Sequence, residues 1–490
     1  MKRKLFCSAA LLASAILSQA TVAKTAQTPA NAELPNIIVI VADDQGYADL
    51  SVAGLADDVS TPSIDSIAKQ GIRFTQAYVT SPICSTSRLG MITGMYTQKT
   101  GGYFYGEEGA ISEKVGTIPE MLKQKDYVTG YVGKYHYGYH NEDSRDFPLN
   151  HGFDYFYGTD GVGRKHYLIH DDKKNDAFKA KMKKYQRKGQ TLEMTSMWDN
   201  RTKVTPTGFS TEIFGEKARD FVRTNKDKPF YLQLAFNSVH NFTHQLPQEY
   251  RDKHNLNLIQ DWDPAKEEYY TWYQRARYPN NPEGRAYYLA QLDFMDKEIG
   301  KLLDTVAELK LTENTLIVYV SDNGGSTPIY ANNTPLRGSK YLLYEGGIRV
   351  PMIVSWPAKI AKGAVVENVV STMDLLPTLA NITGTKAHKF VDGQDITPLL
   401  LGKDTSIAHD TLIWDTGIGT AVRQGDWKLK TASDDWNANY EMVEVELGTQ
   451  LYNLADDVGE TTDLSKQHPE IVKKLQAIYQ EWDAKMKAGI

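Results

Sequence analysis

Two acidic turns in this chain have the composition of a metal site. Asp43 and Asp44 directly follow the apolar run 36–42, and Asp322 and Asn323 follow a second run at 315–320. These four side chains offer only oxygen ligands, which suit a hard cation such as Ca²⁺ or Mg²⁺. The competing interpretation is two ordinary turns, because Asp, Asn and Gly dominate turns in general. Matching positions at two strand ends make the metal interpretation about as strong as the turn interpretation.

A third candidate group surrounds Cys84, in the string Pro-Ile-Cys-Ser-Thr-Ser-Arg-Leu-Gly at 82–90. If 85–95 forms a helix, Arg88 lies on the same face as Cys84 near the helix N-terminus, where free N–H groups favour an anion. A thiolate is a poor partner for a hard cation. The sequence therefore leaves two options for Cys84: an inert core cysteine, or a residue whose sulfur has been replaced by oxygen.

The N-terminal segment predicts export. Residues 1–23 combine a Lys-Arg-Lys head, an apolar run at 11–17 and a small-residue end, as a secretory signal peptide does. Cleavage there removes Cys7, so the mature chain begins near Lys24 and cannot form an internal disulfide. No later run approaches the roughly 20 apolar residues of a membrane span. We expect a periplasmic or secreted protein, and its net charge of -6 gives no basic field for nucleic acid.

The elements that must position these groups predict an α/β fold. Buried strands at 36–42, 229–236 and 315–320 alternate with amphipathic stretches at 61–70, 118–125 and 286–306, which indicates a mainly parallel sheet flanked by helices. Ligands of such sheets bind beyond the carboxyl ends of the strands, where both acidic turns lie. We predict a large domain at 24–392, and at 393–490 a small antiparallel sheet with a closing helix at 468–487.

Several ordered motifs carry a family resemblance. The string 82–94 resembles the first signature of the type I sulfatases, whose cysteine is oxidised to Cα-formylglycine, and 127–138 is similar to their second signature. The resemblance runs from about 35 to 463 and implies an alkaline-phosphatase-like fold. One departure is Thr86, where the family usually has proline or alanine in the part of the motif that its maturation enzyme reads. Further matching strings follow in family order: 238–240, 322–325, 336–340, 344–351, 421–429 and 451–454.

The resemblance also implies roles for single residues. One calcium ion would be held by Asp43, Asp44, Asp322, Asn323 and the modified residue 84. The sulfate would be surrounded by Arg88, Lys134, His136, His240 and Lys340. Hydration of the aldehyde gives a diol, of which one hydroxyl attacks sulfur while His240, with Lys340, protonates the departing oxygen. His136 then takes the proton of the second hydroxyl, so that sulfate leaves and the aldehyde forms again.

The residues alone leave alternatives open at several of these positions. Lys134 and Lys340 are by default solvated, and His136 could simply pack among the neighbouring tyrosines. His240 competes with His244, which is a second candidate for contact with substrate. Arg164 lies in a basic string, 164–167, that predicts either a subsite for an anionic sugar or a solvated loop.

The function implied by the resemblance is hydrolysis of sulfate esters. The 29 tyrosines and the export signal favour a sulfated carbohydrate, as an oligosaccharide derived from a polysaccharide, because aromatic surface suits sugar rings. A formylglycine-generating maturation enzyme is the expected protein partner. Two alternatives are a phosphate or phosphonate ester hydrolase of the same superfamily, and a non-catalytic binder of sulfated glycans that keeps an unconverted Cys84.

Overall fold

A fully buried strand, Asn36–Ala42, runs through the middle of the main sheet. Its seven residues are mostly apolar and β-branched, the composition of a strand covered on both faces. It pairs in parallel with Phe230–Ala235 on one side and Thr315–Ser321 on the other. The three strands predicted as buried therefore lie side by side at the centre of the sheet.

The computed structural model describes residues 34–104, 110–138, 141–160, 167–168, 197–263, 265–406, 409–433 and 444–490. Its strands, in chain order, are β1 Asn36–Ala42, β2 Gly71–Tyr78, β3 Val128–Lys134, β4 Tyr155–Thr159, β5 Tyr167–Leu168, β6 Met197–Asp199, β7 Thr202–Val204, β8 Gly208–Phe209, β9 Phe230–Ala235, β10 Thr315–Ser321, β11 Arg349–Ser355, β12 Ala364–Val366, β13 Val370–Ser371, β14 Thr411–Asp415, β15 Gly419–Gln424, β16 Trp427–Ala432 and β17 Gly448–Asn453.

Eleven of the described strands form one mixed sheet. Their order is β12-β2-β11-β10-β1-β9-β3-β4-β6-β7, with β13 also paired to β2. The pairs β10–β1, β1–β9, β9–β3 and β3–β4 are parallel, whereas β11 runs antiparallel between β10 and β2 and β6 runs antiparallel to β4. The parallel centre places the carboxyl ends of β1, β3, β9 and β10 at one edge; Lys134 is the last residue of β3, and Asp43, His240 and Asp322 follow the other three strands.

Helices cover the sheet, as the α/β prediction requires. In chain order they are α1 Pro62–Lys69, α2 Cys84–Thr93, α3 Ile118–Leu122, α4 Ser210–Asn225, α5 Gln248–Lys253, α6 Tyr269–Arg275, α7 Gly284–Glu308, α8 Glu345–Ile348, α9 Leu375–Thr383, α10 Thr397–Leu400 and α11 Pro469–Lys487. The apolar stripes of α1, α4 and α7 join the side chains of β1 and β9 in one core cluster. The predicted fold class, an α/β sandwich with a large, mostly parallel sheet, is confirmed.

The last part of the chain forms a second sheet. Strands β14 to β17 pair antiparallel in sequence order, and α11 packs against β15 and β16. The residues from Pro35 to Ile490 form one compact unit. The boundary at 392/393 stays a prediction, and the predicted signal peptide lies outside the described residues. Within the described part of the chain, we find no helix with the length and apolarity that a membrane crossing requires.

A buried ion cluster joins the two sheets. The Lys428 ammonium on β16 lies 2.9 Å from Glu345 Oε1 at the start of α8 and 2.9 Å from Glu460 Oε1, and all three side chains are fully buried. Burial and the neighbouring Glu345 carboxylate raise the pKa of Glu460 to about 7, although Lys428 opposes that rise. The lysine therefore offsets the repulsion between two buried carboxyl groups.

Replacement of Lys428 tests this interpretation. We expect Lys428→Met to lower the free energy of unfolding by about 3–5 kcal/mol, because it leaves Glu460 without its cation and leaves Glu345 with the more distant cation of Arg349, at 3.5 Å. The matched control is Lys430→Met on the same strand, since the Lys430 ammonium donates its hydrogen bonds to two neutral oxygens, those of Gln450 and of the Glu446 carbonyl. Urea unfolding of both variants is the measurement. Equal losses of unfolding free energy in the two variants would show that the ion pairs of Lys428 add nothing to its stabilising effect.

Candidate active site

The two acidic turns meet at the carboxyl edge of the sheet. Strands β1 and β10 are paired in register, with Ala42 opposite Ser321. The Asp44 N–H donates to Asp322 Oδ1 at 3.2 Å, and Asn323 Nδ2 donates to Asp44 Oδ1 at 2.8 Å. All four predicted oxygen ligands are buried to at least 99 %. The structure therefore brings them together as the strand-end argument predicts.

Two glycines allow the turns to approach this closely. A Cβ on Gly325 would lie 2.6 Å from the Gly46 Cα, and a Cβ on Gly46 would lie 2.3 Å from the Asn332 carbonyl oxygen. Both separations are shorter than van der Waals contact, so a side chain on Gly325 would push the two turns apart, and one on Gly46 would displace the backbone at Asn332. The Asp-Asp-Gln-Gly and Asp-Asn-Gly-Gly strings are therefore more than generic turn composition.

Three buried cations pair with the three carboxylates. Lys134 Nζ lies 2.5 Å from Asp43 Oδ2, Arg88 Nε lies 2.7 Å from Asp322 Oδ2, and Lys340 Nζ lies 2.7 Å from Asp44 Oδ1. Arg88 Nη1 also donates to the Lys134 carbonyl at 2.6 Å, which joins α2 to the end of β3. None of these cations is solvated, so the default interpretation of Lys134 and Lys340 as surface lysines is wrong.

Cys84 is the first residue of α2 and belongs to the same cluster. One ligand atom from each of Asp43, Cys84 and Asp322 lies within 4.8 Å of the others, and a second such group is Asp43, Asp44 and His240. Burial raises the pKa of the Cys84 thiol, although Lys134 and Lys340 oppose that rise. A neutral thiol is a weak ligand for a hard cation, so the position suits an oxygen better than the unmodified sulfur.

The two histidines contact different members of this group. His136 follows β3 in a left-handed conformation, φ 46°, and its Nδ1 lies 3.2 Å from Cys84 Sγ. His240 follows β9, and its Nε2 lies 3.5 Å from Asp44 Oδ2. His136 can therefore exchange a proton with the side chain at 84, while His240 is held beside the second acidic residue.

Two carboxyl groups of the cluster have opposite pKa shifts. Burial favours the neutral form of Asp43, but Lys134, Arg88 and Lys340 together outweigh it and hold the pKa of Asp43 at about 2. Burial and the Asp43 charge raise the pKa of Asp322 to about 6, against the opposing effect of Arg88. The repulsion between these two carboxylates is what a bound cation would relieve.

Unsatisfied oxygens provide a test of whether a cation fits here. Asp43 Oδ1 and Asn323 Oδ1 are buried, and among the described residues neither accepts a hydrogen bond. Buried polar atoms without partners are rare in native structures and call for an explanation such as an ion. The cluster thus offers oxygen atoms, two of them unsatisfied, from carboxylates and an amide. This donor set fits Ca²⁺.

Arg88 also has an unused donor. Its Nη2 is buried and has no hydrogen-bond acceptor among the described residues, although the Asp43 carboxylate lies 3.8 Å away. A guanidinium N–H that lies in this cluster and is free to donate is suited to an anionic oxygen.

One predicted substrate contact, His244, has its partners outside this cluster. His244 Nε2 lies 3.2 Å from Asp261 Oδ1, and the ring packs edge-on against Phe242 and Trp272. Arg164 lies outside the described residues. The structure thus places His244, four residues after His240, in a cluster of aromatic side chains.

The hydroxyl of Thr86 is part of the packing around α2. The residue is 1 % exposed, and its Oγ1 lies 2.7 Å from Ser81 Oγ and 3.2 Å from the Phe104 carbonyl oxygen.

The Phe104 ring stacks on Tyr341 at 6.2 Å, and Lys340 Nζ lies 5.4 Å from the Tyr341 ring centre. Sequence reasoning missed both aromatic residues. The position of Tyr341 directly after Lys340 was the only available signal.

A cavity of about 280 Å³ lies elsewhere, between α11 and the second sheet. Asp415 already accepts a hydrogen bond from Tyr479, and Asp483 is paired with Lys487. Among the described residues that line the cavity, the one cation, Lys487, is already paired with a carboxylate, and Asp415 adds a second carboxylate, so the cavity does not suit an anion. The buried cations suited to bind an anion, Arg88, Lys134 and Lys340, lie instead around Cys84.

The chain is similar to known proteins over most of its length. A family model described as Sulfatase matches residues 35–385, and one described as N-sulphoglucosamine sulphohydrolase, C-terminal, matches residues 339–484. The N-acetylgalactosamine-6-O-sulfatase of Bacteroides thetaiotaomicron is 30% identical, over 91% of this chain and 93% of that protein. Arylsulfatase J of Mus musculus is 28% identical, over 90% of this chain and 74% of that protein.

A solved structure has a similar fold. Ps i-CgsB in complex with k-i-k-neocarrahexaose superposes with a TM-score of 0.75 at 29% identity, and the match covers 92% of this chain and 93% of that one. The similarity therefore extends through both sheets.

Proposed function

This chain belongs to the sulfatase family and is a sulfuric ester hydrolase, and we propose that it removes sulfate from a sulfated oligosaccharide, with a formylglycine at position 84 and one calcium ion. The observation that carries the proposal is the group of Arg88, Lys134 and Lys340 around Cys84, next to oxygen ligands with unsatisfied atoms. Carbohydrate is the favoured substrate because relatives of similar length act on, or are bound to, sugars.

Asp43, Asp44, Asp322, Asn323 and the oxygen of the modified residue 84 would hold the calcium ion. The ion would supply a fixed positive charge that stabilises the negative charge gathering on the reacting oxygens. Formylglycine would supply, as its hydrate, a nucleophilic hydroxyl and a second hydroxyl through which sulfate is released.

The remaining residues bind charge or move protons. Arg88 Nη2 and the Lys134 ammonium would hold the equatorial oxygens of the sulfate, in a buried site where such interactions are strong. His136, whose Nδ1 lies 3.2 Å from the side-chain sulfur of Cys84, would take the proton of the second hydroxyl. His240, with Lys340, would protonate the departing sugar oxygen. His244 and Arg164 stay as proposed contacts with the sugar.

A panel of substrates tests the function. Protein matured by a formylglycine-generating enzyme would be assayed for sulfate release by ion chromatography. The panel contains N-acetylgalactosamine 6-sulfate, carrageenan oligosaccharides, a small aryl sulfate and a phosphate monoester. We expect sulfate from at least one glycan and little phosphate. Turnover of the aryl sulfate alone would sink the carbohydrate assignment, and faster phosphate release would favour the phosphohydrolase alternative.

The role of His240 is tested through the leaving group. We expect His240→Ala to lower kcat on a sugar sulfate by about 10²- to 10³-fold, because a sugar alkoxide leaves poorly without a proton. The loss on an aryl sulfate should stay below about tenfold, because a stabilised phenolate needs little protonation.

The matched control is His244→Ala, the other histidine after β9, which as a proposed sugar contact should raise KM for the sugar sulfate and keep kcat on both substrates within about threefold of wild type. Equal losses of the His240 variant on both substrates would assign that residue to binding instead of proton transfer.

Location and maturation complete the proposal. We propose export to the periplasm or medium with removal of residues 1–23, and N-terminal sequencing should find Lys24 at or near the start of the mature chain. The predicted boundary at 392/393 would separate the catalytic part from the second sheet and α11.

A further inference from the structure

The Asn333 side chain connects three loops of the active site. Its Oδ1 accepts the Gly325 N–H at 3.1 Å and the Tyr47 N–H at 3.3 Å, and its Nδ2 donates to the Gly325 carbonyl at 2.8 Å and the Gly338 carbonyl at 3.0 Å. The residue is 5 % exposed. Both N–H partners meet one amide atom and both carbonyls meet the other, so the orientation of the amide is unambiguous.

Each of these loops carries a candidate site residue close by in sequence. Tyr47 lies three residues after Asp44, Gly325 two residues after Asn323, and Gly338 two residues before Lys340. One buried amide therefore ties both acidic turns to the loop of Lys340. The backbone adds a direct connection between two of these loops, because the Lys340 N–H donates to the Gly325 carbonyl at 3.2 Å.

No other side chain of this size could replace these contacts. An amide has two donor hydrogens and two acceptor lone pairs, and all four are used here. Aspartate would keep the two accepted bonds but would set its second oxygen against the Gly325 and Gly338 carbonyls. Alanine would lose all four bonds and leave buried backbone groups unsatisfied.

We propose that Asn333 is a positioning residue, which holds Lys340 at its 2.7 Å contact with Asp44 and so acts on turnover through Lys340. The proposal rests on the proposed function, since it assigns Asn333 to the same site. The four hydrogen bonds of the Asn333 amide all go to backbone groups, so the residue acts on the loops and not on the reacting atoms. Asn333 thereby fixes the distance between Lys340 and the two acidic turns.

The test compares Asn333→Asp with wild type in two backgrounds, with and without Lys340→Ala. We expect Asn333→Asp to lower kcat by about 30- to 100-fold and to raise KM by no more than about tenfold, because displacement of a positioned group costs rate more than binding. With Ca²⁺ at a saturating concentration, the same change in the Lys340→Ala background should cost less than about threefold, since the residue it acts through is gone.

Binding gives a readout that needs no turnover. Calorimetric titration with Ca²⁺ and with inorganic sulfate should show sulfate affinity about tenfold weaker in Asn333→Asp, and Ca²⁺ affinity weaker by about 10-fold or more. Asn333→Ser is the milder second variant if aspartate prevents folding. The control is Asn332→Ala, which removes a single local bond to the Thr334 N–H in the same loop and should leave all these quantities near wild type.

Equal losses of kcat in both backgrounds, or unchanged sulfate and Ca²⁺ affinities in Asn333→Asp, would overturn the positioning role. A wild-type protein that releases no sulfate from any ester would overturn the proposed function. In that case the two titrations still decide the role of Asn333, because they depend only on the geometry of the site.

Discussion

Replacement of Cys84 by serine should reduce kcat for sulfate esters by at least about 10⁵-fold, the scale of losing an essential nucleophile. Serine offers one hydroxyl close to Asp43, Asp322 and His136, so a single transfer of the sulfo group to it remains feasible. Release then fails, because serine has no second hydroxyl through which His136 could expel sulfate. The variant should therefore fold, bind substrate and stop after one turnover.

Mass spectrometry of the peptide that contains residue 84 is the measurement. We expect a sulfo adduct on the introduced serine after incubation of the variant with substrate, and in the active wild type a formylglycine in place of the thiol. The matched control is the wild-type chain produced without the maturation enzyme, which has the same sequence and an unconverted Cys84. An unmodified thiol throughout an active preparation would overturn the mechanism.

Mass spectrometry of the same peptide also tests whether Thr86, the departure from the family motif, affects conversion of Cys84. Thr86→Pro restores the residue that the resembled family usually has. Thr86 precedes Ser87, the first residue whose N–H bonds within α2, so proline there removes no helical hydrogen bond. The comparison of converted fractions in the two chains then reports on recognition by the maturation enzyme.

Asp43→Asn should be the second most damaging change, with kcat lower by at least about 10⁴-fold, because it removes a charge on which several groups depend. Asp43 pairs with Lys134 at 2.5 Å, and its Oδ1 is one of the unsatisfied oxygens that fit calcium. The variant leaves Lys134 without a counter-charge and weakens the proposed metal site. Metal content after dialysis, measured by elemental analysis, should fall from one calcium ion per chain towards zero.

The matched control is Asp49→Asn, a buried carboxyl only six residues away. Asp49 is held by Arg285 at 2.8 Å and by the Tyr288 hydroxyl at 2.6 Å, away from Cys84. Its replacement should lower thermal stability and keep the calcium. Full calcium content in the Asp43 variant, or equal metal loss in both, would contradict the assignment of Asp43 as a ligand.

The framework of the site could be predicted because it depends on local pattern. Continuous β-branched runs predicted β1 and β10 within a residue of their observed bounds, and parallel strands must end at one edge. The proximity of Asp43, Asp44, Asp322 and Asn323 follows from those two facts. The apolar periodicity of 286–306 likewise located α7.

Other features had no local signal. Asn333 lies in the string Asn-Asn-Thr-Pro, which indicates only a turn. His136 among tyrosines favoured a packed ring, yet the structure places its Nδ1 beside Cys84, while Tyr135 and Tyr137 are fully buried in the core. The antiparallel direction of β11 between β10 and β2 could not be predicted either, because hydrophobic periodicity carries no information about strand direction.

Local sequence was enough to establish which residue types stand at the ends of buried strands and at the start of α2, since propensity and hydrophobic period act over a few neighbouring residues. The pairing of each cation with its carboxylate came from the tertiary fold. Lys340 and Asp44 are 296 residues apart in the chain, and Arg88 and Asp322 are 234 apart. Such pairs form because packing of the sheet and helices buries all six charges in one place, where each can be stable only beside an opposite charge.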